Sequence, residues 1–160
     1  LMLTDRGPMV LEFNCRLGDP ETQAILLRLD DNLAQVARDA ADGRLKVKTL
    51  NWRREVGVCV VVAADGYPGS PRKGDGISGV EDVMAMPGAT VYHAATKVDG
   101  DALVTSGGRV LGVCARAATL ADAVAQAYRG VDRIAFEGMH YRTDIGADTL
   151  LKLGEGTAGE

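Results

Sequence analysis

Residues 55–64 read E-V-G-V-C-V-V-V-A-A. β-branched side chains suit an extended backbone, and a run this rich in valine with no polar interruption after Glu55 can only be a buried strand. Shorter apolar runs at 90–95, 102–105 and 109–115 predict further strands. Ser106-Gly107-Gly108 reads as the turn between the last two, and together these strands predict a β-meander. Leu120, Val124, Ala127, Val131 and Ile134 follow at helical spacing and mark the inward face of an amphipathic helix. A chain of 160 residues with 46% apolar and 25% charged residues is one ordinary domain's worth of globular sequence,. No apolar run approaches the roughly 20 residues of a membrane span. A net charge of −4 argues against binding nucleic acid, which needs clustered cations,.

Earlier in the chain, residues 9–15 (M-V-L-E-F-N-C) are rich in strand formers. Alternation would put Leu11, Phe13, Cys15 and Leu17 on one face and Glu12, Asn14 and Arg16 on the other. Asp19-Pro20-Glu21 then opens a helix, with Asp19 suited to the N-cap, Pro20 to the first turn and Glu21 to the positive end of the dipole. Ile25, Leu26, Leu29 and Leu33 continue it, Val36, Ala37 and Ala40 carry the pattern to Gly43, and Asp30-Asp31 marks a break into two helices. A linker over 44–54 leads to the valine run. Residues 66–79 carry many glycines with Pro68 and Pro71, which predicts a long exposed loop, and such loops are more often functional than accidental.

The chemistry-bearing pattern is Glu12-x-Asn14-x-Arg16. A carboxylate and a carboxamide oxygen about 7 Å apart on one strand face can converge on a hard cation, and an arginine one pleat further can neutralise a phosphoryl group. The bland alternative is the solvated face of a half-buried strand, which by spacing alone is the commoner meaning. Helix capping by itself accounts for Asp19 and Pro20. Gly74-x-Gly76-x-x-Gly79 matches the letters of a dinucleotide fingerprint but not its context, because no strand runs into it and no long helix follows. A glycine-rich substrate loop carrying Arg72 and Lys73 fits better. His93 and His140 lack partners at ligand spacing and read as hydrogen-bonded structural residues. Trp52 stands alone. Cys15, Cys59 and Cys114 show no C-x-x-C spacing and read as small buried hydrophobes in a reducing compartment.

Taken as one string, residues 8–23 (P-M-V-L-E-F-N-C-R-L-G-D-P-E-T-Q) resemble the signature of the phosphoribosylamine–glycine ligase (glycinamide ribonucleotide synthetase) family. Gly66-Tyr67-Pro68-Gly69 with Lys73-Gly74, Val91-Tyr92-His93-Ala94, Gly107-Gly108-Arg109-Val110-Leu111 and Tyr141-Arg142-Thr143-Asp144-Ile145-Gly146 extend the resemblance in order. The resemblance implies an α+β fold: residues 1–47 as the last strand and helices of an ATP-grasp domain, and 48–153 as a small β-rich C-terminal domain. That second domain would be barrel-sandwich (rudimentary hybrid-like) with a packed helix, followed by a disordered tail over 154–160.

The same resemblance implies that Glu12 and Asn14 ligate Mg²⁺ or Mn²⁺ and that Arg16 is the catalytic cation at the transferred phosphoryl group. Asp19, Glu21 and Lys73 would contact substrate. The implied reaction uses ATP to activate glycine as glycyl phosphate, which the amine of phosphoribosylamine attacks to give glycinamide ribonucleotide, ADP and phosphate in de novo purine synthesis. Such an enzyme is cytoplasmic, with small molecules as partners and neither nucleic acid nor membrane. The start on Leu1, already near a strand, and the lack of the family's earlier blocks imply a piece of a longer protein, inactive alone, whose missing N-terminal part supplies the ATP site. Leu1, Leu3, Leu11 and Phe13 should then form an open apolar patch. Ala147-Asp148-Thr149 departs from the bulky residue, Arg and Ala usual in the family. Another ATP-grasp carboxylate–amine ligase, or a non-catalytic partner piece keeping only the C-terminal fold, are the alternatives.

Overall fold

The valine run is the strand around which the chain is built, and the computed structural model describes residues 1–154. In chain order the elements are β1 (Met2–Thr4), β2 (Gly7–Met9), α1 (Glu21–Arg28), α2 (Leu33–Ala41), β3 (Val56–Ala63), α3 (Val80–Met84) and β4 (Ala89–His93). They continue with β5 (Thr96–Asp99), β6 (Ala102–Thr105), β7 (Arg109–Ala117), α4 (Leu120–Val131), β8 (His140–Tyr141) and α5 (Ala147–Leu153). The fold is mixed α and β with antiparallel sheets. The main sheet runs β4-β7-β3-β8, and β1-β2 and β5-β6 are separate two-stranded ribbons.

Both faces of the main sheet are covered, by unlike means. On one face Val58, Val60 and Val62 of β3 and Leu111, Val113 and Ala115 of β7 pack with Ala123, Ala127 and Val131 of α4, with Val83 and Val91 closing the cluster. Gly130 lets α4 sit tightly, because a Cβ there would lie 2.9 Å from Val113 Cγ1. On the other face α1 lies across β3 and β7. Its path crosses two glycines: a Cβ on Gly57 would stand 2.6 Å from the Ala24 carbonyl oxygen, and one on Gly112 would stand 3.9 Å from Gln23 Cγ. The helix therefore comes closest to the sheet over these two glycines.

Several expectations hold. The helical pattern breaks after Arg28 and resumes at Leu33. Asp30 there donates its N–H to the Asn51 carbonyl, and Asp31 accepts from Asn51 N–H at 2.6 Å and Nδ2 at 2.9 Å. Thr119 caps α4 by accepting from Asp122 N–H at 3.1 Å. No helix among the described residues is long and apolar enough to cross a membrane.

Four expectations need correction. The strand over 9–15 is not formed: β2 ends at Met9, and residues 10–14 have no paired neighbour in this chain, so strand propensity has no ladder to join,. The meander is not formed either. β6 turns back onto β5, which the sequence reading missed, and residues 106–108 carry the chain from that ribbon into the main sheet, where β7 pairs with β4 and β3. Asp19 is not the N-cap of α1. Pro20 takes that position, no side chain caps the helix, and the Asp19 carboxylate is drawn instead to Arg109 and Gln23. Cys15 is exposed, not buried, because the segment carrying it is uncovered; Cys59 is partly buried and Cys114 fully. The tail reading over 154–160 falls, beyond Gly154, outside the described residues.

Candidate functional site

Residues 10–18 run as an irregular extended segment from the β1–β2 ribbon to α1. Glu12 and Asn14 keep the same side: Asn14 Nδ2 donates to Glu12 Oε1 at 3.0 Å. With Glu21, Leu1 and Leu11 they line an open concavity of about 380 Å³. Three of the residues expected to carry function thus meet in one place, although the strand expected to align the first two is absent.

The donor set suits a hard cation. Asn14 spends its amide nitrogen on Glu12, which leaves its Oδ1 and the second Glu12 oxygen available, and Glu21 adds another carboxylate to the wall. Oxygen-only donors with room for phosphate oxygens suit Mg²⁺ or Mn²⁺ better than softer metals. Among the described residues no group of three or more His, Cys, Asp or Glu forms a self-sufficient metal cage. A cation held by Glu12, Asn14 and Glu21 would need further donors from outside this set.

The other expected residues lie around this wall. Arg16 is exposed and its Nη1 donates to the Leu17 carbonyl at 2.7 Å, so the guanidinium folds back on its own segment. Asp19 is held on every side. Arg109 Nη1 donates to its main-chain oxygen at 2.9 Å, Arg109 Nη2 lies 3.1 Å from Oδ2, and Gln23 Nε2 donates to Oδ1 at 2.9 Å. Lys73 stands exposed on the 66–79 loop, and none of its contacts joins it to Glu12 or Arg16 among the described residues. Two positions away Asp75 is buried and ion-paired through Oδ1 to Arg72 at 2.7 Å, while its Oδ2 has no partner.

Arg109 is the residue that sequence reasoning missed. Its signal was the Gly107-Gly108-Arg109 block, in which the glycines are explained by packing: the Tyr67 ring occupies the space a Cβ on Gly108 would need. The glycine-rich loop and the start of β7 are thereby locked together. Of the expected structural histidines, His93 Nδ1 lies 3.1 Å from Thr96 Oγ1, and His140 sits exposed at the start of β8.

Comparison with known proteins decides the family. The phosphoribosylglycinamide synthetase C domain matches residues 57–148, more than half of the chain. The chain belongs to that family. It is 50% identical over 150 residues to a phosphoribosylamine–glycine ligase of Streptomyces coelicolor, covering 92% of this chain and 36% of that protein. A ligase of the same name from Mesorhizobium japonicum is 47% identical over 146 residues, covering 91% and 34%. The crystal structure of the phosphoribosylamine–glycine ligase of Thermotoga maritima superposes with a TM-score of 0.73 at 35% identity, over 90% of this chain and 35% of that one.

The chain spans about a third of the length of these relatives. Residues 57–148 hold all of the main sheet but Val56, with the β5–β6 ribbon, α3 and α4, so the C-domain match describes the scaffold and contains Lys73 and Arg109. Glu12, Asn14, Arg16, Asp19 and Glu21 lie before it, on the segment that Arg109 fastens to the C domain.

Proposed function

We propose that this chain acts as the C-terminal portion of a phosphoribosylamine–glycine ligase, which joins glycine to 5-phosphoribosylamine at the expense of ATP. The carrying observation is that the identity to ligases of that name runs over about nine-tenths of the chain, past the C-domain match at 57–148. In this reading residues 1–47 finish an ATP-grasp domain and 48–153 form the barrel-sandwich C domain. The remainder of a full-length ligase supplies the ATP site, and the whole works in the cytoplasm. The exposed apolar residues Leu1, Leu3, Leu11 and Phe13, each between 66 and 85% accessible, support a neighbouring layer over this segment,.

Glu12 and Asn14 would hold Mg²⁺ or Mn²⁺, which when bound supplies charge neutralisation to the phosphates. Arg16, released from the Leu17 carbonyl, carries a cation that can take a phosphoryl oxygen pair in a bidentate grip,. Glu21 on the concavity wall can accept from a substrate ammonium or hydroxyl. Asp19, with its oxygens spent on Arg109 and Gln23, contributes by fixing the turn that presents Glu21. Lys73 offers an exposed cation from the C-domain loop for a phosphate of the ribosyl substrate. Phosphoryl transfer is mostly positioning and charge neutralisation, which is what these groups provide.

The test joins this chain to the ATP-binding portion of the Streptomyces relative and measures Mg²⁺-ATP binding by calorimetry together with glycinamide ribonucleotide formation. Activity in the joined protein, lost on Glu12→Ala or Asn14→Ala, is the expected result. Tight Mg²⁺-ATP binding by the 160-residue chain alone, or a joined protein indifferent to both substitutions, would sink the reading.

A further inference from the structure

Cys59 of β3 and Cys114 of β7 stand directly opposite one another in register. The hydrogen bonds of the neighbouring strand decide what kind of pairing this is. Ala94 N–H donates to the Val110 carbonyl, and Arg116 N–H donates to the Gly88 carbonyl. In an antiparallel ladder the N–H and C=O of one residue point the same way and successive residues alternate. Residues 110, 112, 114 and 116 of β7 therefore turn their backbone groups toward β4, and residues 111, 113 and 115 turn theirs toward β3. Cys114 consequently meets Cys59 where the two backbones exchange no hydrogen bond. At such positions opposite Cα atoms approach to about 4.5 Å and side chains lie closest. That separation falls inside the range of about 4.4–6.8 Å that disulfides bridge.

The two sulfurs share the α1 face of the sheet. A Cβ built on Gly112 would lie 3.1 Å from Cys59 Sγ and 4.0 Å from Cys114 Sγ. Glycine at 112 thus leaves room for the pair, roofed by Gln23 of α1, whose Oε1 is buried without a partner. Nothing in the proposed ligase chemistry uses either thiol.

We propose that Cys59 and Cys114 are an oxidative modification site, a dithiol that a peroxide converts to an intrachain disulfide. Cys59 is the attacking sulfur, since it is partly exposed while Cys114 is fully buried. Contact with Cys114 holds the Cys59 thiol below its ordinary value, against the opposing effects of burial and the Asp19 charge; the same contact and burial push the Cys114 thiol up, while its S–H donates to the Gly112 carbonyl at 3.7 Å. Tyr92, on the neighbouring strand, is the other titratable group facing the pair. In the first step Cys59 sulfur attacks one peroxide oxygen, the O–O bond breaks, and the departing oxygen leaves as water after taking the Cys59 proton. Cys59 is then a sulfenic acid. In the second step Cys114 loses its proton and its sulfur attacks Cys59 sulfur, the S–O bond breaks, and a second water leaves. Two thiols give up two electrons and two protons, and one peroxide becomes two waters. The bond forms beneath Gln23, whose amide holds Asp19, so oxidation bears on the corner that fixes the 10–19 segment.

The experiment uses the chain with Cys15→Ser, which removes the exposed third thiol. Hydrogen peroxide treatment is followed by unfolding, alkylation and intact-mass analysis. The expected product is a monomer lighter by two hydrogens, with neither thiol alkylated, a Cys59–Cys114 cross-linked peptide, and full recovery by dithiothreitol. In a Cys114→Ser version the expected product is a dimedone-trapped sulfenic acid at Cys59. Both thiols still alkylating fully after peroxide, or a sulfinic acid at Cys59 with Cys114 free, overturns the proposal.

Discussion

Arg109 and Asp19, 90 residues apart in sequence, are joined twice, through the Asp19 main-chain oxygen at 2.9 Å and its carboxylate at 3.1 Å. One side chain from the first residue of β7 therefore fixes the turn that leads from the Glu12–Arg16 segment into α1. Both partners are about two-fifths exposed, so the ion pair contributes local order more than global stability,.

Arg109→Ala is accordingly expected to lower global stability by less than about 1 kcal/mol. Amide exchange over residues 18–24 should meanwhile accelerate several-fold, as read by hydrogen–deuterium exchange. Uniform acceleration across the main sheet would contradict this assignment.

The two glycines under α1 make a sharper prediction. In Gly57→Ala the new methyl meets the Ala24 carbonyl at 2.6 Å, which is backbone and cannot rotate away. The helix must lift, at a cost of about 1–3 kcal/mol in denaturant unfolding. Gly112→Ala meets the movable Cys59 sulfur at 3.1 Å and should cost less. Equal effects at the two positions would show that α1 does not come closest to the sheet at Gly57.

Asp75 tests the asymmetry of buried charge. Arg72→Ala strips its partner and leaves a buried carboxylate that already has one unpartnered oxygen, a loss on the order of 1–3 kcal/mol in thermal or denaturant unfolding,. Replacing both residues by alanine should recover part of that loss. A double variant weaker than the sum of the single ones would refute the pairing.

Asp31 carries a pH signature. Asn51 N–H and Nδ2 hold its carboxyl below the ordinary carboxylate value, the backbone contact contributing most. A lowered value in the folded state means stabilisation present above the unfolded value of about 3.9 and lost as pH falls through the lowered one. Carboxyl-carbon NMR titration should find Asp31 low in the native chain. Asn51→Ala should raise it only part of the way, since the backbone donor remains.

What the sequence revealed depended on how local each decision is. Residues 56–63 could be assigned from valine content alone, and the break at Asp30-Asp31 from polar residues inside a helical pattern. Residues 9–15 are also rich in strand formers, yet a strand exists only where another backbone pairs with it, and propensity does not count neighbours,. Ser106-Gly107-Gly108 has the composition of a hairpin turn, but the pairing of β6 with β5 was decided by Thr96–Asp99, a segment with little apolar pattern. At the candidate site, Glu12, Asn14 and Glu21 were legible because they lie within ten residues of each other. Arg109 was not, because its partner is brought near only by the assembled sheet.

The sheet has one face thick with valine and one where glycines let a helix come close, and this gives it unequal tolerance to mutation. On the α4 side a lost or gained methyl meets packed side chains that can each yield a little. Under α1 the closest approach is at Gly57, where an added carbon meets the Ala24 main chain and no side chain can absorb it. Growth at Gly57 moves the helix as a rigid lever, and the Gly18–Asp19 corner at its end moves with it. Sequence drift in this domain should therefore accumulate under α4 and stall at Gly57 beneath α1, where a single carbon is felt at the corner that leads back to the Glu12–Arg16 segment.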